Sequence, residues 1–269
     1  MKLQVLAVAV AASFAFPLAA QAELNISGDV TVAYDSALNG GDGAISENGS
    51  EINFDGSSEV GGVTYMGHAE LDFQGSRTSP KFEEVRVGAK GGFGEVWLGD
   101  VDNAVDQFDP DSNDIWLGGH SDAFGGHDND NILYKNTVGA AEFALSHNPG
   151  YEETAIGARF GMGPVKVNLG YEDGVTTSAG PDESLLSYGV EGSFGDVTLS
   201  AEGNDDDKWG LNASYSAGNN TIWADYGDDG SNDVFGLGYR MSHGQMDYIV
   251  EYADDGTDDR TMAGMRYRF

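Results

Sequence analysis

The sequence has no cysteine, only 6 prolines and only 13 lysine and arginine residues in a chain of 269. Without cysteine, no disulfide bond can stabilise the fold, even in an oxidising compartment where disulfides form readily. Beyond residue 22 the chain also lacks any uninterrupted apolar run near the ~20 residues that a membrane-spanning helix needs. These absences exclude a disulfide-stabilised domain and a helical membrane protein.

The first 22 residues have the pattern of a secretory signal peptide. Met1–Lys2 gives a positive start, Leu3–Ala20 is an apolar run, and Ala20–Ala22 is a cleavage site of the small-x-small type. A single membrane anchor is the alternative, which is disfavoured because the run is short and nothing basic follows it. We expect residues 1–22 to be removed and residues 23–269 to form one domain.

Acidic residues dominate the charge. The chain has 45 Asp and Glu, which gives a formal net charge of −32. A field of this sign repels nucleic acid and anionic lipid and attracts cations, so we expect no nucleic-acid partner. The same acidity is also typical of adaptation to a saline habitat, and the sequence leaves both explanations open.

Glycine is abundant, with 40 residues, and 11% of the chain is aromatic, a composition that favours turns and packed strands. Segments of about ten residues alternate apolar with small or polar side chains, as β-strands do. In one of them Tyr248 and Val250 lie on one face, with Asp247 and Glu251 on the other. Sixteen such strands are predicted, at residues 24–34, 50–57, 62–73, 81–90, 93–99, 131–137, 140–147, 153–161, 164–172, 184–194, 196–203, 207–217, 220–226, 232–241, 245–252 and 260–269.

The connections between these segments alternate in kind. One set is tight, glycine-rich and nearly uncharged, as hairpin turns are. The other set is longer and acidic, for example at residues 205–207, 228–230 and 254–256. Strict alternation places all long loops at one end of an up-and-down meander, as in outer-membrane barrels. The tight set comprises residues 60–62, 91–93, 138–140, 161–164, 194–196, 217–219 and 242–244.

A soluble β-sandwich is the alternative for such a strand repeat. It would bury the apolar face and would not leave Arg159, Lys166 and Glu191 where its core should be. Here the apolar face carries aromatic residues at segment ends, and the other face carries Gly, Ser, Asn and charge. The predicted fold is therefore all-β, a transmembrane antiparallel barrel of sixteen strands with lipid outside and water inside.

Four stretches resemble the general porins of Gram-negative bacteria, especially the short-chain type of photosynthetic and marine bacteria. They are Met262–Phe269, Gly88–Gly99, Ser50–Gly56 with the strand Gly62–Phe73, and Asn131–Asn136 with Ala141–His147. The resemblance implies an outer-membrane homotrimer that contacts lipid and lipopolysaccharide and lets ions and small hydrophilic solutes diffuse passively. It also implies that Met265, Tyr267 and Phe269, on one face of the last strand, are the signal that the barrel-insertion machinery reads.

The resemblance further implies a third external loop that folds into the lumen and narrows it. Asp100–Asp130, the longest connection, lies at that place and contains no Lys or Arg. We expect its acidic side chains to line the pore constriction. The candidates are Asp102, Asp106, Asp109, Asp111 and Asp114.

In the family a basic cluster on the barrel wall faces this loop, and here the match is partial. Lys135 falls on a basic wall position, whereas Glu51, Asp55 and Glu83 stand where relatives are basic. The facing of Arg86 stays open. Other candidates for the basic wall are Arg159, Lys166 and Arg240. We expect a lumen that is negative overall and prefers cations, with a selectivity that salt weakens.

Other readings of these residues stay open. Calcium is a possible ligand at Asp106, Asp109, Asp111 and Asp114, although a regular calcium-loop pattern is absent, and no other cofactor is expected. Many external acids are also explained as solvated loop residues.

Two rival functions are a barrel enzyme and a substrate-specific channel. An enzyme would need a nucleophile, a base and an orienting group, but the five histidines fall in no recognisable motif. We therefore expect no enzymatic activity. Trp116 and Phe124 in the long loop leave open a specific channel for sugars.

Overall fold

The computed structural model describes residues 23–73, 80–110, 124, 128–177, 180–254 and 256–269. Within these ranges the chain forms seventeen β-strand segments and two short 3-10 turns, Leu38–Gly41 and Asp106–Phe108. No helix among the described residues is long and apolar enough to cross a membrane. The predicted signal peptide lies outside the described residues.

The strands are numbered in chain order. Their bounds are β1 Glu23–Asp35, β2 Ala44–Glu47, β3 Glu51–Val60, β4 Val63–Asp72, β5 Lys81–Gly91, β6 Gly94–Asp102, β7 Asp128–Val138, β8 Ala141–Asn148, β9 Glu153–Met162, β10 Val165–Thr177, β11 Gly180–Phe194, β12 Val197–Asn204, β13 Trp209–Ala217, β14 Asn220–Asp228, β15 Asp233–His243, β16 Met246–Asp254 and β17 Asp259–Arg268.

The strands close into one antiparallel barrel. From β3 onward each strand pairs with the next in the chain, and β17 returns to β1. Both β2 and β3 pair with β1, so they act as one interrupted strand, and seventeen segments less one give sixteen strands. At the closure Gly28 and Phe269 exchange two backbone hydrogen bonds of 3.2 and 3.0 Å. The predicted fold class is confirmed.

Side chains alternate between an apolar outer surface and a polar inner one. On β16, Tyr248 and Val250 are 41% and 51% exposed, whereas Asp247 and Glu251 are each 1% exposed. A soluble β-sandwich would bury the apolar pair and expose the acidic pair. The inverted pattern fits a barrel whose outer surface faces hydrocarbon.

The seven predicted tight connections all join neighbouring strands as two-residue turns. Six of the seven contain a glycine with a positive φ, which glycine adopts at little steric cost; Gly139 and Gly195, for example, have φ of 65° and 67°. Because the turns alternate with the other connections, they gather at one end of the barrel. We call the opposite end the loop end.

Three strands differ most from the prediction. The short strand β2 was not predicted, and β10 and β11 continue to Thr177 and from Gly180, past the expected limits of 172 and 184. Apolar alternation stops near Tyr171, but backbone pairing does not require apolar side chains. The ladder therefore continues, with register shifts after Asp173 and Val175.

Candidate functional site

An acidic cavity opens at the loop end of strands β3 to β7. Its volume is about 560 Å³. Six of its lining residues carry a carboxylate and one carries an ammonium group, so its charge is strongly negative. The lining residues are Glu51, Glu70, Lys81, Phe82, Glu83, Glu84, Asp100 and Asp130.

A β-bulge between β4 and β5 assembles part of this cavity. Ala69 pairs with Val85 and Leu71 pairs with Phe82, so Glu70 alone faces two residues, Glu83 and Glu84. In a regular strand these two neighbours would point to opposite surfaces. The bulge lets both line the cavity, and bulges commonly re-aim side chains in this way.

Arg86 lies on the inner wall, which decides the facing that the sequence left open. It pairs in register with His68 of β4, and its Nη1 atom is 2.6 Å from Oε2 of Glu84. Its guanidinium group also lies over the Trp97 ring, 5.8 Å from the centroid. One basic side chain therefore adjoins the acidic cavity.

The three acidic wall candidates all belong to this region. Glu51 and Glu83 line the cavity, and Nζ of Lys81 is 2.8 Å from Oε1 of Glu83. Asp55 lies across from His68, and its Oδ1 atom is 2.8 Å from Nδ1 of the histidine. The wall is thus acidic where relatives are expected to be basic.

The start of the long loop packs on inward-facing residues of β8 to β10. The Asn103 side-chain amide donates hydrogen bonds to Glu153 and Glu172, and all three side chains are buried. The Ala104 amide donates to Oγ of Ser146 at 2.9 Å. Residues 103–110 are therefore fixed to the inner wall near their start.

Two glycines make room for this segment. A Cβ atom at Gly157 would lie 2.0 Å from the Ala104 carbonyl oxygen, and one at Gly170 would lie 2.5 Å from the Val105 side chain. No side chain fits at such distances, so the close approach of loop and wall requires glycine. Val105 and Phe124 are fully buried in the cluster formed there, so Phe124 does not line a solute path. Trp116 lies outside the described residues.

Two of the predicted basic wall residues contact this segment. Nζ of Lys135 donates a 2.9 Å hydrogen bond to Oε1 of Gln107. The Arg159 guanidinium group lies over the Phe108 ring, 5.4 Å from its centroid, and donates to the Asp109 carbonyl oxygen at 3.5 Å. These contacts place part of the loop beside a basic stretch of wall.

The other two basic candidates lie further round the wall. Lys166 shares Glu191 with Arg159, at 3.1 and 3.5 Å respectively. Arg240 on β15 pairs in register with Thr221 of β14 and Ile249 of β16. Arg159 and Lys166 therefore flank one carboxylate on neighbouring strands, whereas Arg240 lies apart from them on β15.

Three of the five predicted loop acids are described. Oδ2 of Asp102 accepts a hydrogen bond from Nε2 of Gln107 at 3.2 Å, and Asp106 begins the 3-10 turn that ends before Asp109. Asp111 and Asp114 lie outside the described residues. The predicted calcium site includes both of these aspartates, so the site as a whole also lies outside the described residues.

The three residues of the predicted assembly signal share the outer surface. Met265, Tyr267 and Phe269 are all exposed, and the Tyr267 and Phe269 rings stack at 6.5 Å between centroids. Their apolar side chains are thus presented to the surroundings of the barrel at the end of the closing strand.

Sequence reasoning missed four carboxylates of the cavity: Glu70, Glu84, Asp100 and Asp130. Glu70 does share one face of β4 with His68 and Asp72. The sequence pattern does not show that residues of five strands meet at one cavity, because this depends on the curvature of the barrel and on the bulge.

Comparison with known proteins agrees with this architecture. The family model for Gram-negative porins matches residues 7–269. Two mutants of a porin from Rhodopseudomonas blastica are 17% and 18% identical, each with a TM-score of 0.76, covering 92% of this chain and 100% of their own. An engineered protein described for asymmetric conductivity is 17% identical, with a TM-score of 0.78 and the same coverage. No curated protein sequence matches. Since the family model spans nearly the whole sequence, the chain belongs to the Gram-negative porin family.

Proposed function

We propose that this porin is a water-filled diffusion channel that prefers cations to anions. Family and fold indicate an outer-membrane channel for small solutes, rather than an enzyme. The preference for cations rests on one observation, the cavity in which six carboxylates accompany a single lysine. Acidic rings select cations in channels because they attract ions of opposite charge.

The basic residues of the closing wall do not offset this charge, because they are paired with wall carboxylates. Each of three arginines on β17 forms an ion pair with an inward-facing aspartate. Such a pair contributes little net potential to the lumen. The pairs are Arg260 with Asp35, Arg266 with Asp29, and Arg268 with Asp247.

We further propose that the long acidic loop narrows the lumen. The contacts of Asn103 and Ala104 with the inner wall support this, because they direct the chain inward where the loop begins. In this arrangement the five predicted acids border the path of the solute. They are Asp102, Asp106, Asp109, Asp111 and Asp114.

The assembly proposed for the chain is a homotrimer in the outer membrane, in contact with lipid and lipopolysaccharide. The exposed apolar side chains on the outer surface support a membrane setting. We propose that Met265, Tyr267 and Phe269 are read by the barrel-insertion machinery, since all three project from the closing strand.

Neutralising the cavity tests the cation preference. The triple variant Glu51→Gln, Glu70→Gln and Glu83→Gln replaces three carboxyl groups of the cavity with neutral amides. We expect its ratio of cation to anion permeability, measured from reversal potentials in planar bilayers, to fall towards unity. The control variant Glu152→Gln, Asp207→Asn and Asp258→Asn makes three substitutions of the same type in exposed loops and should have a much smaller effect. Equal effects of the two variants would show that the cavity does not set the preference.

A further inference from the structure

We propose that His68, Glu70 and Glu84 form a binding site for a divalent transition-metal ion, with Zn²⁺ as its representative. One ligand atom from each of the three residues can be chosen so that all lie within 4.8 Å of one another. An imidazole nitrogen with carboxylate oxygens suits zinc and related ions better than it suits calcium. The site does not depend on the proposed cation preference.

Asp55 orients the histidine for this role. Its Oδ1 atom is 2.8 Å from Nδ1 of His68. In the tautomer whose Nδ1 donates its proton to this carboxylate, Nε2 presents a lone pair. In metal sites a ligating histidine almost always has its other ring nitrogen bonded to such a carboxylate or to a similar acceptor. Asp55 is therefore a positioning residue and not a ligand.

The second ring nitrogen lies beside a carboxylate. Nε2 of His68 lies 3.3 Å from Oε2 of Glu84, is buried, and makes no hydrogen bond within the described residues. The whole histidine side chain is only 11% exposed. When Nε2 carries no proton, its lone pair and this carboxylate repel each other unless a cation lies between them. This contact is the observation that distinguishes the cluster from an ordinary group of surface acids.

An ion can reach the site through the acidic cavity. Glu70 and Glu84 both line the cavity, and its other carboxylates raise the local concentration of cations. The bulge places Glu70 opposite Glu84, so both carboxylates can act as ligands together with His68. Three protein ligands leave room for water, as in open zinc sites.

Arg86 is the group that opposes binding. Its Nη1 atom is 2.6 Å from Oε2 of Glu84, so it competes with an ion for this carboxylate. It follows that Arg86→Gln should bind the ion more tightly than the unaltered chain. A merely structural role of the cluster gives no reason for a gain of affinity.

The test is a Zn²⁺ titration of the detergent-solubilised mature chain by calorimetry. We expect one site per chain that excess Mg²⁺ does not displace. His68→Gln and Glu70→Gln should abolish it, and Asp55→Asn should weaken it by about tenfold to a hundredfold. His147→Gln, which alters an exposed histidine on β8, should bind as the unaltered chain does.

Copper gives a second readout that does not rely on affinity. Bound Cu²⁺ should show electron paramagnetic resonance coupling to one imidazole nitrogen, and this coupling should vanish in His68→Gln while circular dichroism still reports a folded barrel. No Zn²⁺ binding by the unaltered chain, or unchanged binding by His68→Gln, overturns the site. Either result leaves the cation preference, measured in KCl, intact.

Discussion

At the residue scale, single atoms decide where the loop can lie. The Ala104 carbonyl oxygen approaches Gly157 so closely that a Cβ atom there would be 2.0 Å away. The neighbouring atom belongs to the backbone and cannot rotate aside, unlike the end of a flexible side chain. The position of residues 103–110 therefore depends on the missing side chain of one wall residue.

Gly157→Ala should accordingly displace the loop from the wall. Overpacking of this kind costs about 1–3 kcal/mol, which thermal or denaturant unfolding followed by circular dichroism would measure. Gly67→Ala is the matched control, because a Cβ atom at Gly67 would meet nothing within 4 Å. Equal stability of the two variants would contradict the close packing of loop and wall.

The charged residues of β5 show what sequence could predict at this scale. Glu83 and Arg86 stand at positions of opposite parity, so strict alternation allows only one of them to face inward. The bulge opposite Glu70 removes this conflict, and both lie on the inner wall. A bulge has no certain signature in a single sequence, which is why the facing of Arg86 could not be predicted.

At the element scale, the start of the long loop is held by one buried amide. Asn103 donates to Glu153 and Glu172 and accepts hydrogen bonds from the backbone amides of Val105 and Asp106 at 2.9 and 3.1 Å. One side chain therefore both shapes the turn and ties it to β9 and β10.

Asn103→Ala should release this start of the loop. Leaving buried polar groups without their partner costs about 1–3 kcal/mol, so limited proteolysis between residues 103 and 130 should become faster. Asn220→Ala, on an exposed residue at the turn end, should leave the cleavage rate unchanged. If Asn103→Ala resists protease as well as the unaltered chain does, the amide is not the anchor.

Turns and strands were predictable where residues close together in the sequence determine them. Six of the seven tight turns contain a glycine that adopts positive φ between alternating segments, as at Gly139. Strand β2 was missed, and the hairpin from Val165 to Phe194 was predicted too short. Both are held by backbone pairing beyond the apolar band, and such pairing leaves no apolar pattern in the sequence.

At the scale of the whole molecule, the same alternation determines both the fold and the channel. It turns Tyr248 and Val250 outward and Asp247 and Glu251 inward, so that the outer surface suits lipid while charged groups line the interior. Sequence alone therefore predicted the barrel. The cavity with six carboxylates could be recognised only in the closed structure, since its residues come from five strands.

The salt dependence of ion selectivity belongs to this scale too. At about 0.1 M salt the screening length is about 10 Å and at about 1 M it is about 3 Å, so wall charges act across less of the lumen as salt rises. A preference caused by the acidic wall must therefore weaken as salt increases. A preference caused by pore width alone would not.

The reversal potential that residues 23–269, without substitutions, give in a planar bilayer under a KCl gradient tests the central claim most directly. We predict the sign of the potassium equilibrium potential, with a magnitude that shrinks when both solutions are raised from about 0.1 M towards about 1 M. A reversal potential with the sign of chloride, or one that salt does not change, would contradict the account.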